Sequence, residues 1–231
     1  MIKVENIHVG GFEAAIRGMR NPKKSWHLSD SKFGPDFVEI GPNDLELLKN
    51  LFHGGDEHRK YARFIHVSMD IIAPLYWWKE FDTYKVGTAC NSTSTMHTIH
   101  KKEFTIDDFS HEHLITRKEA EENDLFAAVN VNGDTCLYSS EGLLEMTCQV
   151  LNKYRELYLE TKDKKYWWQM IQLLPSSYNQ LRTVDFNYEN VFRIIHQRTG
   201  HKLDEWYSDA NLDNLVDVLK SLPYVREIGG F

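Results

Sequence analysis

Residues 63–72 constrain the fold more than any other stretch of the chain. Ile65, Val67, Met69 and Ile71 fall on one side of an extended backbone, and Phe64, His66, Ser68, Asp70 and Ile72 on the other. That period of two belongs to a β-strand with a buried face. The strand leads through Ala73 and Pro74 into Tyr76, Trp77, Trp78 and Phe81. Proline suits the first turn of a helix, so the spacing predicts an aromatic helix that ends before Gly87. Next comes Thr88, Ala89, Cys90, Asn91, Ser92, Thr93, Ser94 and Thr95, which reads as a loop. Its short hydroxyl and amide side chains suit a phosphate or the polar edge of a nucleotide. They equally suit a plain surface turn.

Around this unit the chain reads as a half-buried strand over residues 2–9, then a turn at Gly10 and Gly11. A helix follows from Asn43, with Leu45, Leu48, Leu51 and Phe52 at helical spacing and Gly54-Gly55 as its stop. Residues 101–124 carry many charges and weak periodicity, so short helices and loops are expected there. Ser139 or Ser140 caps a long helix whose buried stripe is Leu143, Leu144, Val150, Leu151, Tyr154, Leu157 and Tyr158. An aromatic helix over residues 166–174, a loop over 176–185, a helix over 186–198 closed by Gly200 and a last helix over 212–222 complete the reading. The expected fold class is α+β: one domain over residues 1–231, with helices packed around a modest antiparallel or mixed sheet.

Composition removes several function classes. The 231 residues carry 27 Lys plus Arg against 34 Asp plus Glu, a formal charge of −7. That balance argues against a nucleic-acid binder whose affinity rests on neutralising phosphates. Neither a run of 18 apolar residues nor a signal-peptide pattern is found, so no membrane partner and a cytoplasmic location are expected. Cys90, Cys136 and Cys148 are odd in number and lack C-x-x-C spacing, so no disulfide framework or cysteine metal site is expected. Cys136 and Cys148 read as small core residues.

The candidate constellations are few. His66, Ser68 and Asp70 alternate along a strand about 6.6 Å apart, too far for a hydrogen-bonded triad. His97 with His100 and His111 with His113 lack a third ligand, and no metal is expected. No G-x-G-x-x-G or P-loop pattern is present, so a nucleotide must be held another way. Asn187 and Arg198 lie eleven positions apart. At 100° per residue they return to within about 20° of one helix face, about 16 Å apart. An amide and a guanidinium so aligned suit a long ligand such as a dinucleotide, or else form a solvated polar stripe.

These residues resemble the flavin-dependent thymidylate synthases. In that family a strand leads through Ala-Pro into an Arg-Gln-Trp helix, then an Arg-His-Arg segment, then a Ser-x-Asn-Glu-x-Ser-x-Arg-Tyr loop. Here Ala73-Pro74 stands at the junction, Lys79-Glu80-Phe81 at Arg-Gln-Trp, Thr83-Tyr84-Lys85 at Arg-His-Arg, and Asn91 and Ser94 at matching loop positions. Leu174-Pro175 followed by Tyr178 is similar to the family's Leu-Pro…Tyr-Thr-Arg segment, and Asn187 and Arg198 reproduce a further family spacing. The likeness covers roughly residues 50–207. Ser92 replaces a Glu, Met96 replaces an Arg that holds substrate phosphate, and Gln180 falls where a second phosphate Arg is expected. Each lost guanidinium removes a charge-assisted contact of about 1.5–3 kcal/mol. Two such losses weaken nucleotide binding by on the order of hundreds-fold unless Lys85, Arg182 or Arg193 compensates.

The resemblance implies the thymidylate synthase-complementing protein fold and methylation of dUMP to dTMP, or a related pyrimidine nucleotide modification. It implies FAD as cofactor, NADPH and methylenetetrahydrofolate as co-substrates, and a homotetramer that builds each site from several subunits. It places Lys85, Tyr84, Asn187 and His58 at the cofactor and Asn91, Ser92, Ser94, Gln180 and Arg198 at the substrate. Arg198 also takes the catalytic role of polarising the pyrimidine carbonyl. The alternative is a non-catalytic nucleotide- or flavin-binding protein of the same fold.

Overall fold

The computed structural model describes residues 2–35, 37–210 and 213–231. The chain runs β1 (Lys3–Gly10), α1 (Phe12–Arg20), β2 (Lys32–Phe33), β3 (Val38–Glu39), α2 (Pro42–His53), β4 (His66–Pro74), α3 (Leu75–Phe81), β5 (Ala89–Ser92) and α4 (Thr95–Thr98). It continues through α5 (Arg117–Asn123), β6 (Ala127–Val131), β7 (Asp134–Tyr138), α6 (Ser140–Thr161), α7 (Lys164–Leu173), β8 (Asn179–Asn187), α8 (Tyr188–Arg198), α9 (Leu215–Lys220) and α10 (Val225–Gly229). Two compact units form: one from Ala73–Lys79 with Ser92–Gln180, the other from Ile2–Ile72, Glu80–Asn91 and Leu181–Phe231.

The second unit carries most of a four-stranded sheet of order β1-β4-β8-β5. As the alternation requires, Ile65, Val67, Met69 and Ile71 are fully buried, while His66, Ser68 and Asp70 lie on the more open side. β1 pairs antiparallel with β4, Lys3 opposite Ile72 and Gly10 opposite His66, with an irregularity between Glu5 and His8. Asn6 absorbs it at φ 53°, a left-handed conformation that asparagine tolerates, and donates to the Asp70 carboxylate at 2.7 Å. α8 buries Val191, Ile194 and Ile195.

A buried ion pair ties the N-terminal part of this unit together. Asp44, completely buried, accepts from Arg20 Nε at 2.6 Å and from the Ser29 and Ser31 hydroxyls at 2.7 Å each. The backbone N–H groups of Asp30 and Ser31 donate to it as well. Burial pushes the Asp44 carboxyl up, but the bonds from Ser31, Ser29 and Arg20 outweigh that and hold it below the usual carboxylate range.

The first unit centres on α6 and α7. Ile99, Phe104, Phe109, Leu144, Cys148, Leu151 and Met170 form its core. Asn152 locks the loop at Phe104 in both directions, accepting from its N–H and donating to its carbonyl at 2.8 Å each. Ser139 caps α6 by accepting from the Gly142 N–H at 3.1 Å. Ser139→Ala is expected to cost about 1 kcal/mol, read as a lower urea midpoint with an unchanged slope.

Several expectations are corrected. The loop expected over residues 88–95 is partly strand β5, followed by the single turn α4. The loop expected over 176–185 contains β8, where Gln180, Val184 and Phe186 alternate inward. The helix expected from residue 186 starts at Tyr188, because Phe186 and Asn187 still belong to the strand. The hairpin β6–β7 was missed although Asn132-Gly133 at its tip is a strong two-residue turn signal. Leu143 and Val150 are exposed, so the buried stripe of α6 is narrower than the spacing implied. Cys148 is buried as expected, whereas Cys136 is only half-buried. The expected start of the last helix at Leu212 lies outside the described residues. From Leu215 that stretch forms two short helices separated at Pro223.

Candidate functional site

Strand β8 delivers Asn187 to the start of α8, where its side chain accepts from the Asn190 N–H at 3.2 Å. This capping turns Oδ1 toward the helix and leaves Nδ2 as the outward donor. Asn190 in turn donates to the Val86 carbonyl at 2.7 Å and the Thr88 hydroxyl at 3.1 Å. The chain between them passes so close that a Cβ on Gly87 would stand 2.6 Å from Asn187 Nδ2. Gly87 also has φ +70°, the left-handed region that favours glycine.

Asn187, Asn190 and Gly87 open onto a cavity of about 1030 Å³, the size of a large cofactor site. Its charged lining comes from three directions: His53 at the end of α2 and Asp56 just after it, Arg59 and Arg63 before β4, and Glu189, Arg193 and His196 on α8. Arg59 is spent within the wall, with bonds of 3.0 and 3.1 Å to Glu189 and an ion pair of 2.7 Å with Asp56. Among the described residues, neither Arg63 nor Arg193 forms an ion pair. Arg193 lies 5.9 Å over the Tyr84 ring. The cavity therefore offers the Asn187 amide donor at one end and uncompensated cations in the same lining, a donor set that fits an anionic, ring-bearing ligand.

At the far end of α8, Arg198 is held on several sides. Its Nε donates to the Tyr84 hydroxyl at 2.9 Å and its Nη1 to Glu80 Oε2 at 2.7 Å. Trp206 covers the guanidinium at 4.4 Å, and its indole N–H donates to the same Glu80 oxygen at 3.0 Å. His201 Nε2 lies 2.9 Å from Nη1. Tyr84 is buried, and its hydroxyl donates to Gln197 Oε1 at 3.0 Å.

Tyr84 and Arg198 are thus brought into direct contact, and Asn187 caps the start of the helix that ends at Arg198. Lys85 is exposed beside a recess of about 280 Å³ that Tyr84 and Cys90 also line. His58 lines a different cavity of about 690 Å³, and it is His53 that faces the large one. Asn91 belongs to the second unit, whereas Ser92, Ser94 and Gln180 belong to the first. There Gln180 donates to the Thr93 carbonyl at 2.8 Å, fixing the hydroxyl-rich turn. Ser94 is the N-cap residue of α4 and makes no side-chain capping bond. Met96 is exposed, and Arg182 is paired with Asp82 at 2.9 Å. Sequence reasoning missed His53, Arg63 and Gly87. Gly87 carried a signal, since a glycine two residues beyond Lys85 reads as a turn.

No triad forms on β4. Its polar side chains bond across strands instead, His66 to Asp185 at 3.3 Å and Asp70 to Asn6. Among the described residues no group of three or more His, Cys, Asp or Glu is placed to hold a metal. Nor is any described helix long and apolar enough to cross a membrane.

The sheet, the capped helix α8 and the cavity at its start belong to an α+β fold. No known family model matches the chain, and no curated protein sequence does. Among solved structures, thymidylate synthase ThyX from Helicobacter pylori, described with FAD and dUMP, is similar over 99% of this chain and 97% of its own. The TM-score is 0.60 and the identity 18%. A second structure of that protein, also complexed with FAD and dUMP, gives the same TM-score at 17% identity over 98% and 97%. The UMP/dUMP methylase PolB from Streptomyces cacaoi, bound with 5-Br UMP, matches 99% of this chain and 84% of its own with a TM-score of 0.51 and 13% identity. The fold is that of the flavin-dependent thymidylate synthases, in a strongly diverged sequence.

Proposed function

We propose that this protein is a flavin-dependent pyrimidine nucleotide methylase, taking dUMP to dTMP or acting on a close analogue. The observation that carries the reading is the convergence of Asn187, Gly87, His53 and Arg193 on one cavity of about 1030 Å³, within a fold whose solved examples hold FAD and dUMP or bind 5-Br UMP. Asn187 Nδ2 would donate to the flavin ring and Arg63 and Arg193 would meet its diphosphate, while Tyr84 and Lys85, which line the separate recess of about 280 Å³, would reach the cofactor only from there. His58 stands apart from this group, so His53 takes its place in the reading. FAD, when bound, supplies the hydride transfer.

The chain's own residues do the rest. Ser94, Ser92 and Asn91 would bind the nucleotide, the turn being held by Gln180 through the Thr93 carbonyl. Arg198 would polarise the pyrimidine carbonyl as negative charge develops on the ring. The overall conversion balances as dUMP, methylenetetrahydrofolate, NADPH and a proton giving dTMP, tetrahydrofolate and NADP+. A homotetramer, with neighbouring subunits completing each site around the single 1–231 domain, belongs to the same proposal.

A second reading, a nucleotide- or flavin-binding protein without turnover, draws on Met96 at the position of a phosphate-binding Arg and on the Glu80 counter-charge against Arg198. Reconstitution with FAD tests both readings. Protein mixed with FAD and desalted is expected to keep flavin absorbance, and a colourless product argues against both. Gly87→Ala is expected to weaken FAD binding at least tenfold in a fluorescence titration, because the new methyl displaces the Asn187 amide. Its left-handed φ costs about 1–2 kcal/mol of stability besides.

A further inference from the structure

We infer that Glu80 is a positioning residue that fixes the guanidinium of Arg198 in a single orientation and leaves one edge of it to meet the ligand. The inference deepens the proposed reaction and rests on it for the identity of that ligand.

Glu80 stands where the family pattern has a neutral glutamine, so a carboxylate beside Arg198 is a feature of this chain. Its Oε2 gathers two donors, Arg198 Nη1 at 2.7 Å and Trp206 Nε1 at 3.0 Å, and His201 Nε2 stands 3.5 Å away. His201 Nδ1 accepts the Leu203 backbone N–H at 3.1 Å, and its Nε2 lies 2.9 Å from Arg198 Nη1. The Tyr84 hydroxyl takes Nε and the Trp206 ring covers one face. Among the described residues nothing bonds Nη2.

An arginine left to itself distributes over many rotamers. Here both the Nε and Nη1 directions are taken, and Arg198 retains little exposure. The cost is electrostatic, because the Glu80 charge opposes the potential Arg198 offers an anion. The gain is orientation, and misplacement of a reacting group by about 1 Å costs about a hundredfold in rate. Such a residue is expected to act on turnover more than on binding.

Glu80→Gln is the test, since the amide oxygen can still accept from Trp206 while the counter-charge is gone. With dUMP the kcat is expected to fall about tenfold to a hundredfold, with KM changed by no more than about twofold. An unchanged kcat, or an effect confined to KM, overturns the inference. Nitrogen NMR of isotopically labelled arginine reads the clamp without any turnover. The Arg198 Nε–H is expected to be protected and its Nη groups to rotate slowly in the native protein, and both to become averaged in Glu80→Gln. Signals identical in the two proteins overturn the clamp. If the native protein shows no dUMP turnover, the proposed reaction fails while the NMR comparison still judges the clamp. Should Glu80→Gln not fold, Glu80→Asp, which withdraws the carboxylate by one methylene, is read against the same two outcomes.

Discussion

Arg198→Ala is expected to lower dTMP formation by about a hundredfold to a thousandfold, the usual cost of removing one donor aimed at developing charge. The expectation comes from the side chain's setting. A guanidinium bonded to Tyr84 and Glu80 and covered by Trp206 is already ordered before any ligand arrives, so its electrostatic effect on the ring carries little reorganisation cost. Arg198→Lys is expected to recover little, because an ammonium cannot keep Tyr84, Glu80 and the ligand in separate directions at once. Stability should change far less than rate, since Glu80 is about a third exposed and water can solvate it once its partner is gone. Steady-state kinetics beside thermal melts check both halves. A melt that collapses in Arg198→Ala would recast the residue as structural.

Asp44→Ala is expected to destabilise the protein by about 3–5 kcal/mol, because it strands the buried Arg20 guanidinium without a counter-ion. It also removes the acceptor for two hydroxyls and two backbone N–H groups that hold residues 29–31 against α2. Urea unfolding should show a lower midpoint, and the loss should be smaller in a variant that replaces Arg20 and Asp44 together by apolar residues. The same carboxylate sets a pH dependence. Its folded pKa lies below the unfolded value near about 4, so its stabilisation is complete above that value and is lost as pH falls below it toward the depressed folded pKa. Asp44→Asn should flatten this acid limb. An acid limb of unchanged steepness would assign it to other carboxylates.

What the sequence revealed and what it hid have separate physical causes. Alternation in β4 and the spacing of α2, α6 and α8 were legible because each element buries one face against its own unit. β5 was not, since Ala89, Cys90, Asn91 and Ser92 are all exposed and form a strand only by joining a neighbour at the sheet edge; β8 was not, since polar Gln180 and Arg182 interrupt the apolar row that Val184 and Phe186 continue. Hydroxyl-rich strands at a sheet edge carry turn chemistry in their composition. Asp44 sits in the first turn of α2, where an acidic residue is ordinary, and only the fold shows it as the acceptor of a buried network. Within the site, helical period set Asn187 and Arg198 on one helix, whereas the fold ends β8 at Asn187 and makes it the cap of α8, and the direction of Arg198 was not readable. Its partners Tyr84 and Glu80 lie 114 and 118 residues away in sequence, and no period links segments so far apart. His58 and His53 differ by little more than a turn of chain, a distance that sequence alignment alone leaves open and that decides which cavity each one lines.

The proposed reaction is tested most directly by an anaerobic single turnover. Protein carrying chemically reduced FAD is mixed with dUMP and methylenetetrahydrofolate, and flavin absorbance and dTMP are followed together. Flavin reoxidation with one dTMP formed per flavin, dependent on both substrates and lost in Arg198→Ala, is the predicted result. Flavin that stays reduced while dUMP is recovered unchanged would contradict it.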